Sequence, residues 1–352
     1  MAELVYAYVS EAYGETRESS SLSFRTNFIG NTIMDFLTNF KTTLWATAQI
    51  FLMAGCGYFL VKRKTIDHAG LVLLSKLMIS LFFPLFTFHQ LITHFSFTAY
   101  QNWWIFPLIS FSVTAAGFLL GWFVARVAKV SPKKDFIALV GFQNSGFIPL
   151  MLVMNLLSGE PAQRLYIYIF LFLIGFDLVM WSFGVWFLTR HKAGKFELKN
   201  LIASPFTAIV LSLILIALGL NRFIPEVILK PVKMFGDCAL PLAVMIVGGN
   251  LAMIDIFSVD KRKAALVTLT KLVLLPLLAF SFILAFKTYG LIGFLILLQA
   301  CVPSANSLSV ISRRHELEDK FLNQGIFFTN ALSIFTLPFF LTFYRQLGLL
   351  NY

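Results

Sequence analysis

Gln143, Asn144, Ser145 and Pro149 interrupt one long apolar run of this chain, and Gln299, Pro303, Ser304 and Asn306 interrupt another. Carboxamides and hydroxyls are neutral hydrogen-bonding groups, while proline removes a backbone donor and ends a helix. Inside a bilayer, a broken backbone survives only where protein or a watery cavity satisfies the freed N–H and C=O groups. Where the helix resumes, several N–H groups and the positive end of a dipole face outward. Asn144 or Ser145 is expected to cap that restart, with Pro149 in its first turn. Such an end binds an anion without a charged side chain, and a small carboxylate fits it. Two breaks in corresponding parts of a chain point to a carrier's substrate site, so these eight residues are the candidate substrate-binding residues.

Ionisable residues inside apolar runs form a second group. Asp177, Asp237, Lys271 and His89 lie within such runs, and Lys76 lies nearer an end, where it can reach the membrane surface. Charge at the bilayer centre costs a few kcal/mol or more, so these side chains should face protein or water. They are candidates for H+ coupling or for structural charge pairs. The cysteines Cys56, Cys238 and Cys301 sit in apolar runs and read as small buried hydrophobes. No zinc spacing, phosphate loop or nucleophile elbow appears, so no catalytic residue, metal or resident cofactor is expected, and the chain is not read as an enzyme.

The elements that carry these residues are membrane spans. The 352 residues are 58% hydrophobic and 13% charged, where a soluble domain carries about 25% charge. Mean hydropathy is +0.81. The net charge of +11 comes from lysines and arginines in short loops, which is a topology signal and not a nucleic-acid footprint. A span needs roughly 20 apolar residues. Ten candidates run over about 42–61, 71–94, 102–125, 136–157, 165–189, 204–221, 228–251, 264–286, 290–311 and 323–344. Residues 1–41 form a polar tail without the pattern of a signal peptide, and 28–40 read as an amphipathic helix on the membrane surface.

The polar stretch 191–203 divides the spans into a first set over 42–190 and a second over 204–346. Most lysines and arginines fall in the loops after odd-numbered spans, which places those loops in the cytoplasm and both termini outside. With five spans per half, the second half must insert upside down. Lys76 lies eight residues before Pro84, Lys233 lies eight before Pro241, and spans four and nine carry the breaks. The expected fold is all-α and integral to the membrane, with ten transmembrane helices as a 5+5 inverted repeat and broken crossover helices four and nine.

Several stretches carry a resemblance. Phe51 to Lys64, Ser75-Lys76, Pro84 to His89, Leu240-Pro241 through Gly248-Gly249, and the two breaks follow the order seen in the auxin efflux carrier family, which includes the plant PIN and PIN-LIKES proteins. The resemblance covers about 42–345. It implies a fold related to bile-acid–sodium symporters, a homodimer, and a scaffold of helices 1, 2, 6 and 7. Helices 3–5 and 8–10 would form a transport domain moving as an elevator, with Asn144, Pro149, Pro303 and Asn306 as crossover residues. Helix three carries no acidic residue and the central loop is short, so auxin is not assigned as the substrate.

The resulting expectation is a secondary active or facilitated carrier of a small organic anion, working in efflux. It would be a multi-pass protein of the cell membrane (the inner membrane in a bacterium), contacting lipid and no nucleic acid, with coupling to H+ or Na+ left open. The alternatives are a sodium-coupled organic-anion symporter of the bile-acid type and a non-transporting membrane ligand sensor.

Overall fold

The computed structural model describes residues 22–189, 205–254, 260–315, 317 and 320–350. The connection expected at 191–203 and most of the polar tail lie outside the described residues. Among those described, the regular elements are helices, numbered here in chain order. They are α1 (Leu22–Lys62), α2 (His68–His94), α3 (Ile105–Val127), α4 (Lys133–Gly141), α5 (Phe147–Leu156) and α6 (Gly159–Thr189). The second set is α7 (Pro205–Ala217), α8 (Glu226–Ala252), α9 (Lys261–Phe286), α10 (Gly290–Cys301), α11 (Ser307–Arg314) and α12 (Lys320–Gln346). Seven of these, α1, α2, α3, α6, α8, α9 and α12, are long and apolar enough to cross a membrane, and α5, α7 and α10 are shorter apolar helices. The chain is therefore an all-helical, multi-pass membrane protein.

The sequence separates a surface helix at 28–40 from a span beginning at 42, but the backbone runs unbroken through both. No glycine or proline lies between residues 31 and 54 to end it. Threonines around the expected boundary bond within the helix. The hydroxyls of Thr38, Thr42, Thr43 and Thr47 each donate to the carbonyl four residues back. Thr43 and Asn39 also meet α12, through Thr342 at 3.2 Å and Gln346 at 3.3 Å.

Three helices contain a widened π turn, at Met78–Phe82 in α2, Met180–Gly184 in α6 and Thr270–Leu274 in α9. Two of these run directly into Pro84 and Pro276. Each proline lacks the N–H that would bond four residues back, and the wider turn absorbs that loss without ending the helix.

Packing follows close backbone approach. α1 lies against α8, and a Cβ on Gly57 or Gly248 would fall on the carbonyl of Met245 or Ala54 respectively. α2 packs on α7 and α8, α3 on α4 and α6, α9 on α10 and α12, and α1 also touches α5 and α12. α6 is the internal helix. In its apolar window 61% of residues are buried, against 28% in α1, α2 and α3, whose outer faces (Leu52, Phe59, Leu119, Trp122) are left for lipid.

Candidate functional site

The two breaks are real, and they meet. α4 stops at Gly141 and α5 starts at Phe147; α10 stops at Cys301 and α11 starts at Ser307. At about 1.5 Å per residue, α4 and α5 are each roughly half the hydrocarbon thickness. Between the halves, Phe142 and Val302 turn the backbone to extended conformation. Gln143 and Ser304 then pair as an antiparallel bridge. The Asn144 N–H donates to the Pro303 carbonyl at 2.9 Å, and the Ala305 N–H donates to the Phe142 carbonyl at 3.0 Å. Each unwound segment thus satisfies the other's backbone, which a lone broken helix in lipid lacks.

The polar side chains sort into two groups. The first is structural. Ser304 Oγ donates to the Leu139 carbonyl at 2.6 Å, and the Ser304 N–H donates to Thr329 Oγ1 at 3.3 Å. Gln299 Nε2 donates to the Ser145 carbonyl at 3.1 Å, tying the end of α10 to the opposite break. Ser145 Oγ donates within its own turn, to the Gln143 carbonyl at 3.4 Å. The cap expected from Asn144 or Ser145 is not made. Gly146 occupies that position with no side-chain bond, because Asn144 is held by the bridge and Ser145 turns back on Gln143. Pro149 is buried in the first turn of α5, where its missing N–H leaves no orphan.

The second group has nothing to bond. Gln143 Nε2 and Oε1, Asn144 Nδ2, Gln299 Oε1 and Asn306 Nδ2 are buried atoms without a hydrogen-bond partner. Gln143 and Gln299 are fully buried and Asn144 is 6% exposed. Each such atom costs about 1–3 kcal/mol when left unpaired. Native interiors tolerate few of them, and five of the ten such atoms among the described residues belong to the two breaks. Asn306 also lines a narrow crevice with Asn250, Ser309 and Ile326, and a second crevice holds Ile50, Ile148, Val247 and Asn330. The sequence reading missed Asn250, Ser309, Thr329 and Asn330. Thr329-Asn330, a polar pair inside the apolar run of α12, was the visible signal.

The ionisable candidates are scattered. Lys271 is fully buried at the crossover, with Nζ 3.2 Å from the Val140 carbonyl. Asp177 is buried in α6, three residues before its π turn begins at Met180. Asp237 is exposed and pairs with Lys233 one turn back at 2.6 Å. His89, half-buried on α2, lies within electrostatic reach of that pair, and Lys76 is exposed. Replacing both members, Lys233→Gln with Asp237→Asn, is expected to leave the pH profile of flux unchanged, as measured over a pH series in vesicles. Ser304→Ala should strand the Leu139 carbonyl and lower stability by about 1–3 kcal/mol in thermal denaturation, with flux kept at low temperature.

Comparison with known proteins decides the family. The membrane transport protein family matches residues 42–194 and 188–341. This chain belongs to the auxin efflux carrier family. It is a membrane transporter, and the family is not one of enzymes. Among curated proteins, PIN-LIKES 1 of Arabidopsis thaliana is 22% identical over 385 residues, an alignment covering 89% of this chain and 81% of that protein. The carrier's paired break therefore lies within the first and second family-matched stretches.

Proposed function

We propose that this protein carries a small organic anion, bound at the paired helix break, across the cell membrane by an elevator motion. The observation that carries this reading is the cluster of unpaired carboxamide atoms of Gln143, Asn144, Gln299 and Asn306. Their nitrogens offer donors to a carboxylate, aided by the N-terminal end of α5. The free oxygens of Gln143 and Gln299 suit a hydroxyl or N–H on the same solute. The substrate class is thus a small acid that bears a second polar hydrogen.

The rest of the reading is the ten-span, 5+5 inverted repeat. The two short-halved pairs, α4–α5 and α10–α11, take the places of spans four and nine. α1, α2, α7 and α8 pack among themselves and serve as the scaffold. α3–α6 and α9–α12 form the moving part around the crossover. A homodimer is supported by α8, whose exposed Glu226–Lys230 and Lys233–Asp237 pairs suit a protein partner better than lipid. Termini outside and net efflux complete the proposal.

Purified protein in liposomes, assayed for counterflow of labelled indole-type, dicarboxylic and bile-type acids, tests it. Saturable flux of at least one acid is expected. Binding of an acid with no flux would instead make the protein a ligand sensor.

A further inference from the structure

We infer that the Lys271 ammonium is a tethered cation, standing where a carrier of this build would otherwise hold a mobile coupling ion. When a helix stops in mid-membrane, its last carbonyls lack partners and the negative end of its dipole points into the gap. Carriers with broken helices use such carbonyl ends to coordinate Na+ or H+. In α4 three of the last four carbonyls are already taken. Ala138 accepts from the Phe142 N–H at 2.9 Å, Leu139 from Ser304 Oγ at 2.6 Å, and Val140 from Lys271 Nζ at 3.2 Å.

The lysine comes from the π turn Thr270–Leu274 of α9, which packs against both α4 and α10. The turn lies just ahead of Pro276, and its extra width sets where the side chain emerges. Cys301, the last residue of α10, lies within electrostatic reach of the Lys271 side chain. Lys271 belongs to none of the four ion pairs between described residues, each of which joins residues three or four apart on a helix and leaves one partner substantially exposed. A fully buried lysine is costly to keep and is rarely found without a carboxylate. Here the Val140 carbonyl, at a half-helix end, takes that part. Lys271 is therefore a positioning residue, which holds the crossover without touching the solute.

The inference rests on the paired break being the transport site, but its test does not need a known substrate. The full chain in detergent is melted in NaCl and in choline chloride of equal ionic strength. For the parent the two melting temperatures should coincide, and a rise in Na+ would overturn the inference. Lys271→Ala should melt lower in choline. Na+ or methylammonium, entering the vacated space, should raise it by roughly 3 °C or more, and Lys271→Arg should need neither. A folded Lys271→Ala indifferent to every small cation would also overturn it. If that variant does not fold, the parent's response to Na+ decides alone. Absence of acid flux with this melting pattern intact would count against the substrate reading and leave the tethered cation standing.

Discussion

Asn144→Leu and Asn306→Leu should each lower substrate flux by about 10- to 100-fold, the loss of one hydrogen bond to a charged ligand. The substrate-free variants should be as stable as the parent or more so. Both Nδ2 atoms are buried and unpaired, so replacing the carboxamide with a hydrocarbon removes a desolvation penalty of about 1–3 kcal/mol. An ordinary structural asparagine gives the opposite sign, because its loss strands a partner. Flux in liposomes and melting temperature in detergent, measured on the same preparations, separate the two cases. A variant that loses stability and keeps its flux would return that asparagine to the scaffold of the fold.

Gly248→Val should prevent accumulation of folded protein. The new Cβ would fall on the Ala54 carbonyl, where α1 and α8 touch backbone to backbone, and Gly57 faces the Met245 carbonyl in the same way. Neither helix can retreat without parting a seam that has no hydrophobic drive to re-form in lipid. Overpacking typically costs about 1–3 kcal/mol, and a backbone contact that cannot shift lies at the upper end or beyond. Gly55→Ala is the control. Nothing lies within 4 Å of its added Cβ, and alanine favours the helix by about 1 kcal/mol. Yield after size-exclusion chromatography, followed by thermal melting, reads both.

The breaks were legible because they depend on local chemistry. Proline and short polar residues in an apolar run announce an interrupted helix wherever they occur, and Gln143–Pro149 and Gln299–Ser307 did so twice. Which polar group serves which purpose was not legible. Ser304 looked like Asn306, but its hydroxyl is spent on the Leu139 carbonyl while the Asn306 amide is left free. That difference depends on where α4 ends relative to α10, which no single segment encodes. Lys271 was visible as a charge in an apolar run, and its target was not, because a π turn rotates it off the regular helical register. Asp237 stood out as a charge within an apolar run. Its spacing of four from Lys233 was the better guide, and the two pair on the surface. The restart of α5 was misjudged for a related reason, since the bridge to Pro303 occupies Asn144 before it can cap.

A structure of the carrier with a transported acid bound tests the central claim most directly. Density for the carboxylate should lie at hydrogen-bonding distance, about 3 Å, from Asn144 Nδ2 and Asn306 Nδ2, beside the Gln143–Ser304 bridge. A solute seated elsewhere, with those amides still unpaired, would contradict it.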